Sequence, residues 1–187
     1  MQIILLDACV LIPPTPSDLI LRLAEAGVFD PRWSEWIHVE VRDHLEAQGI
    51  PLSSAISRVE AMRQAFPGAA VEDFEASIPS MTDHPKDRHV LAAAVVGRAT
   101  AIMTMNLRDF PPSALSPWGI EARHPDDLLT EALTRSPDTA LSALRRLQAH
   151  YRRPPVAMNE ILDRLERSQV PRFAADAKQL LDNHPEW

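Results

Sequence analysis

One cysteine, Cys9, is all that this 187-residue sequence contains. A lone thiol cannot close an internal disulfide or begin a zinc-ligand spacing, so a disulfide-stapled secreted scaffold and a structural zinc site are both excluded. Long apolar runs are missing as well. Beyond the N-terminal stretch the longest is Val90 to Val96, far short of the roughly 20 residues that span a bilayer. The N-terminus has no basic segment and meets Asp7 too early for a signal-peptide core, so a reducing, cytoplasmic location with no membrane role is expected. Positive charge is scarce: 19 Lys and Arg face 26 Asp and Glu, for a formal net charge of -7. That balance argues against a general nucleic-acid coat, because phosphate binding needs local positive charge. The deficit lies in residues 1–134, with 10 basic against 19 acidic residues; residues 135–187 hold 9 against 7. Neither a G-x-x-x-x-G-K-[ST] nor a G-x-G-x-x-G phosphate loop occurs, and Asp7 is not followed by a D-x-D nucleophile pair.

What is present suits a folded α/β chain. Hydrophobic residues make up 45% of the sequence, enough for a core. Ile3 to Leu6 reads as a short buried strand within Gln2 to Leu6. Thr15-Pro16-Ser17-Asp18 predicts a helix start with Thr15 as cap, and Gly27 ends that helix. Ser34 caps the next, in which Ile37, Val41 and Leu45 recur at four-residue spacing until Gly49, with Glu40 on the flank of the stripe. Ile56, Val59, Met62 and Phe66 mark a further helix that stops at Pro67-Gly68. From Lys86 an alanine-rich helix runs to Gly97, followed by a strand at Ala99 to Met103, a polar loop from Thr104 to Asp109, a short strand at Gly119 to Ala122 and a helix from Pro125. About three helices follow: Pro137 to Tyr151, Ala157 to Ser168 and Arg172 to Asn183. The alternation implies a mainly parallel sheet whose ligands sit beyond the carboxyl ends of its strands. A domain over 1–134 with a helical extension over 135–187 is the expected organisation.

Four carboxylates stand beside apolar segments: Asp7, Glu40, Asp87 and Asp109. An ionised acid at the end of a buried strand needs a tether or a cation, and Asp7 and the Thr104 to Asp109 loop share one edge of the expected sheet. The plain readings remain open: a capped strand-end turn for Asp7, a dipole-compensating first-turn acid for Asp87, a surface acid for Glu40, a turn cap for Asp109. His89 is expected to be packed or hydrogen-bonded within its helix, and Cys9 to be a small buried hydrophobe.

The segments Leu-Leu-Asp7-Ala-Cys-Val-Leu, Ser34-Glu-Trp-Ile-His-Val-Glu40-Val, Asp87-Arg-His-Val-Leu-Ala-Ala-Ala and Ile-Met-Thr104-Met-Asn106-Leu-Arg-Asp109-Phe together resemble the PIN-domain family, in particular the VapC-like toxin ribonucleases. The similarity spans about residues 2 to 130. It implies a three-layer α/β/α domain whose clustered acids bind Mg²⁺ or Mn²⁺ and cleave single-stranded RNA. It also implies a cognate antitoxin as partner. Cys9 stands where the family often has Asn. Asp109 is the better match to the fourth acid, with Asn106 as a neutral ligand or substrate contact and Thr104 as a positioner of water or metal.

Chemically, carboxylates within ~4 to 6 Å of one another raise each other's pKa unless a divalent cation supplies the missing charge. Such an ion offers Lewis-acid and water-activating chemistry to a phosphodiester. His84, Lys86, Arg88 and Arg108 flank the acids and suit phosphate, or simply solvate the surface. Arg145-Arg146 and Arg152-Arg153 could add basic surface, while Leu141, Leu144, Leu147, Ile161, Leu162 and Leu165 could either cover one face of the domain or support dimer or antitoxin contacts. Two other readings compete with a metal-dependent ribonuclease: a non-catalytic PIN-like module binding RNA or protein, and a metal-dependent phosphatase.

Overall fold

The computed structural model describes residues 1–183. Five strands form one all-parallel sheet in the order β3-β2-β1-β4-β5: β1 Gln2–Leu6, β2 Phe29–Ser34, β3 Ala70–Val71, β4 Ala101–Met103 and β5 Glu121–Arg123. Helices flank this sheet, so the α/β expectation holds. The central place goes to β1 because Ile4, Leu5 and Leu6 are buried on both faces, which only an inner strand of a covered sheet allows. Its register sets Leu6 beside Met103 of β4 and Leu5 beside Arg32 of β2.

The chain packs as two compact units, Met1–Ile12 with Phe29–Arg123, and Pro13–Val28 with the described residues from His124 on. The helix α2, Pro14–Glu25, therefore groups with the C-terminal helices, a tertiary association that a linear boundary at 134/135 does not express.

In the first unit α1 is a single turn, Ala8–Leu11, directly after Asp7. Ser34 caps α3, Glu35–Ala47, its Oγ accepting from the Ile37 N–H, and Ile37, Val41 and Leu45 face inward. The next helix, α4, spans Leu52–Ala65; Arg58 leaves it to donate to the carbonyls of Leu11 and Ile12 at the end of α1. Then α5, Arg88–Val96, packs against β1, β2 and β4, and its Ala92, Ala93 and Ala94 have no exposed surface. Small side chains let its backbone approach the sheet, and the approach is tightest at Gly97, where a Cβ would lie 2.8 Å from Val71 Cγ2. A one-turn helix, α6, follows at Pro112–Leu115.

Strand β2 has no counterpart in the sequence reading. Phe-Asp-Pro-Arg-Trp-Ser contains a proline and two charges, which argue against an inner strand. The structure accommodates them because β3 pairs only with Trp33 and Ser34, so at Pro31 the strand has β1 alone as neighbour. Asp30 and Arg32, two residues apart on one face, form a two-pronged ion pair. A second correction concerns Thr15. It is buried inside the first turn of α2, and the cap position belongs to Pro13.

In the second unit α2 joins α7 Pro125–Arg135, α8 Pro137–His150, α9 Met158–Arg167 and α10 Pro171–Asn183. Asp126 is buried because its two carboxylate oxygens accept from the backbone N–H groups of Arg172 and Phe173 at the start of α10. Leu141, Leu144, Leu147, Ile161, Leu162 and Leu165 are all buried, so they serve as packing and not as an exposed partner surface. Arg146 is tied to Glu25 of α2. Among the described residues no helix is long and apolar enough to cross a membrane.

Candidate active site

Parallel pairing puts the carboxyl ends of all five strands at one edge, and Asp7 leaves the sheet there. Its backbone N–H continues the ladder to the Met103 carbonyl (3.1 Å), which brings Asp7 directly beside Thr104, the residue after β4. The Asp7 side chain is 7% exposed. Its Oδ2 accepts from the Thr104 hydroxyl at 2.7 Å and from the Cys9 thiol at 3.1 Å. Each donor is itself oriented. Thr104 Oγ1 accepts the Asn106 N–H at 3.0 Å, and Cys9 Sγ accepts the Met105 N–H at 3.2 Å. The loop after β4 is thus folded back on the end of β1 by its own backbone, and its two acceptors aim their protons at one carboxylate oxygen.

The position two residues after Asp7 is more than filler. Cys9 is a hydrogen-bonding group here, and burial first, then the Asp7 charge, pushes its thiol up to about 12. At neutral pH it is a protonated donor and not a nucleophile.

Burial is the main cause that raises Asp7 above the ordinary carboxylate range, and the Glu40 charge adds to it, against the lowering by Thr104 and Cys9. Asp87 is raised too, first by burial and then by the charges of Asp109 and Asp7; His84 pulls the other way. The charges thus link Glu40 to Asp7, and Asp7 and Asp109 to Asp87. Their positions differ in detail. Asp87 is the N-cap of α5 and not part of its first turn, and it lies 3.4 Å from His84 Nδ1. Asp109 ends a 3-10 turn, Leu107–Asp109, and Arg108 within that turn is exposed. Asn106 contributes its backbone N–H to the Thr104 hydroxyl. Arg88 donates to the Asp83 carbonyl at 3.3 Å.

Glu40 is held from another helix. His89 Nε2 of α5 donates to its Oε1 at 3.0 Å, so the histidine is bonded across to α3 and not within its own helix. His89 Nδ1 is buried without a partner. A carboxylate only accepts, so the proton in this bond is carried by Nε2.

Sequence reasoning missed one acid. Asp83 is 4% exposed and neither of its carboxylate oxygens has a hydrogen-bond partner. Burial raises its pKa, and its charge acts in turn on Asp87. The only signal was an acid four residues before Asp87 in a stretch that has no apolar period.

As donors, these carboxylates fit a hard divalent cation, because mutual repulsion and burial leave them short of positive charge. Among the described residues, however, no three or more His, Cys, Asp or Glu side chains stand close enough together to hold an ion as placed.

The five-stranded parallel sheet, with Asp7 and Thr104 joined at its carboxyl edge, agrees with the fold that the PIN-domain resemblance implies. Residues 125–179, covering α7 to most of α10, match the family model of the VapC50 C-terminal domain. A stretch of 103 residues is 45% identical to the protein named "Putative ribonuclease VapC50" of Mycobacterium tuberculosis (strain ATCC 25618 / H37Rv). That stretch is 55% of this chain and spans 60% of the relative's own length. No solved structure matches.

Proposed function

We propose that this chain is a metal-dependent endoribonuclease that cleaves single-stranded RNA, and that it is the toxin of a type II toxin–antitoxin pair. The observation that carries the reading is geometric: Asp7, buried at the carboxyl end of β1, is held at 2.7 Å by Thr104 at the end of β4, on the sheet edge where a parallel α/β domain binds ligands. The charges of Glu40 on Asp7, and of Asp109 and Asp7 on Asp87, act in the same direction. The likeness to a relative named as a ribonuclease supports the same class of activity.

Asp7, Asp87, Asp109 and Glu40 are the residues that would hold Mg²⁺ or Mn²⁺. When bound, such an ion supplies charge neutralisation, a polarised phosphodiester oxygen and an activated water. The chain's own residues do the rest. Thr104 and Cys9 fix the Asp7 carboxylate by donating to a single oxygen. His89 orients Glu40. Arg88 and Arg108 flank the acids as cations for the phosphate backbone, where they position the strand without reading its sequence.

The test is incubation of the purified protein with a mixed RNA pool and Mn²⁺, with sequencing of the new ends. Cleavage that disappears with EDTA and with Asp7→Asn supports the reading; cleavage that persists in both refutes it. A second reading, a PIN-like module that binds RNA or protein without turnover, draws on the lack of a converged three-donor cage among the described residues. It predicts RNA retention with no new ends in Mg²⁺ or Mn²⁺.

A further inference from the structure

We propose that Trp36 is the platform on which one base of the RNA substrate stacks beside the acid cluster. The inference rests on the ribonuclease reading above and adds to it the contact that grips the nucleotide.

Trp36 lies in the first turn of α3, four residues before Glu40, so the two share a side of the helix. Its indole is 45% exposed, whereas Trp33, at the end of β2, is 1% exposed and fills the core. An exposed tryptophan alone means little. This one is fixed in place. Its ring packs edge-on with Phe74 (centroids 5.6 Å apart, planes at 81°) and against His89 (5.6 Å, 42°). Phe74 is itself buried, and His89 is the residue that holds Glu40. The indole is thus one ring and one hydrogen bond away from a site carboxylate, and two ring contacts back the face it leaves exposed.

Charge makes such a platform useful. The chain carries a formal net charge of -7 and gathers acids at the proposed site, so general attraction to phosphates is weak. Stacking supplies affinity that does not depend on charge, and every base offers a π face, so the grip tolerates sequence. Splayed single-stranded bases are available for it, while bases within a duplex are not.

The experiment measures affinity for a fluorescently labelled single-stranded RNA heptamer in Ca²⁺ buffer, using the full chain and no cleavage readout. Wild type, Trp36→Phe and Trp36→Ala are compared on the intact oligonucleotide and on a set carrying one abasic site at each position; thermal melting checks that the variants fold. Trp36→Ala is expected to weaken binding roughly tenfold, with Trp36→Phe recovering most of the loss. One abasic position should cost wild type a similar factor and cost Trp36→Ala little more, since the stacking partner is already gone. Binding by wild type that is indifferent to Trp36→Ala overturns the platform and leaves the ribonuclease reading standing; it is the result expected if a protein partner covers the indole. Losses that add independently at every abasic position also overturn it. Failure of wild type to bind or cleave any single-stranded RNA overturns both.

Discussion

The Thr104 hydroxyl donates to Asp7 Oδ2 at 2.7 Å across 97 positions of sequence, and it ties together the ends of two adjacent parallel strands. Thr104 is fully buried, so this bond competes with no water. Thr104→Val keeps the shape and removes the donor to Asp7 together with the acceptor for the Asn106 N–H. We expect a stability loss of about 1–3 kcal/mol in urea unfolding. RNA cleavage or metal affinity should fall roughly 10- to 100-fold, the usual cost of removing a group that orients a ligand. Thr104→Ser should restore both. A Thr104→Val protein with wild-type stability and activity would show that the bond carries neither.

Neutralising Asp7 or Asp87 should separate function from stability. Burial raises both carboxyls, so each folded-state pKa lies above the unfolded one. Their contribution to stability is therefore complete below the unfolded value of 3.8 and is lost as pH rises through the folded pKa. At neutral pH without metal, each charge works against folding. Asp7→Asn and Asp87→Asn should abolish cleavage yet melt higher in EDTA at pH 7.5, by roughly 2–4 °C, the size of a 1 kcal/mol change in a chain of this length. The gain should shrink as the pH is lowered toward 4. Variants that melt below wild type in EDTA at pH 7.5 would contradict the repulsion on which the metal proposal depends.

The places of these acids in the fold could be read from the sequence because they sit at the ends of well-patterned elements. Leu5-Leu6 before Asp7, the stripe of Ile37, Val41 and Leu45 beside Glu40, and the alanine run after Asp87 each announce both an element and the acid at its margin. What escaped has physical reasons. Strand β2 carries a proline and two charges that argue against an inner strand, and the short reach of β3 makes Pro31 acceptable there. The grouping of α2 with the C-terminal helices is a matter of tertiary packing that no local pattern records. The links from His89 to Glu40 and from Cys9 to Asp7 depend on side-chain direction, which periodicity does not specify.

His89 offers a test of positioning. His89→Phe keeps a ring against Trp36 and removes the hydrogen bond to Glu40 Oε1. It also removes a buried nitrogen that has no partner, so stability should change by less than about 1 kcal/mol. Cleavage should fall roughly tenfold or more as Glu40 loses its tether. The loss should fall on kcat with KM near wild type, a split that a merely structural histidine would not cause. Unaltered kcat would mean that His89 does not position Glu40.

Gly97 tests how closely α5 meets the sheet. Its φ is negative, so an added side chain meets no backbone strain, but a Cβ would stand 2.8 Å from Val71 Cγ2 and 2.9 Å from the Ala93 carbonyl oxygen. Gly97→Ala should therefore cost about 1–3 kcal/mol by overpacking, and more than the small gain alanine normally brings to a helix end. Chemical denaturation reads this directly. Val71→Ala in the same chain should recover part of the loss, because it removes the nearer clash; no recovery would place the strain at the carbonyl alone.

His38 sets a stability limit on the acid side. It is 1% exposed, and burial first, then the Arg42 charge, lowers its pKa from 6.5 to about 4. Arg63 Nε donates to its Nδ1 at 3.4 Å, which leaves the neutral ring's proton on the buried Nε2. With the folded pKa below the unfolded one, the stabilising contribution is full above pH 6.5 and disappears as pH falls through about 4. The contribution is at most about 3 kcal/mol. The raised acids pull in the opposite direction, so the comparison must be between two proteins and not along one curve. Between pH 6.5 and 4, wild type should lose more unfolding free energy in urea than His38→Gln, whose side chain does not titrate. Parallel curves for the two proteins would mean that His38 charges in the fold as readily as in the unfolded chain.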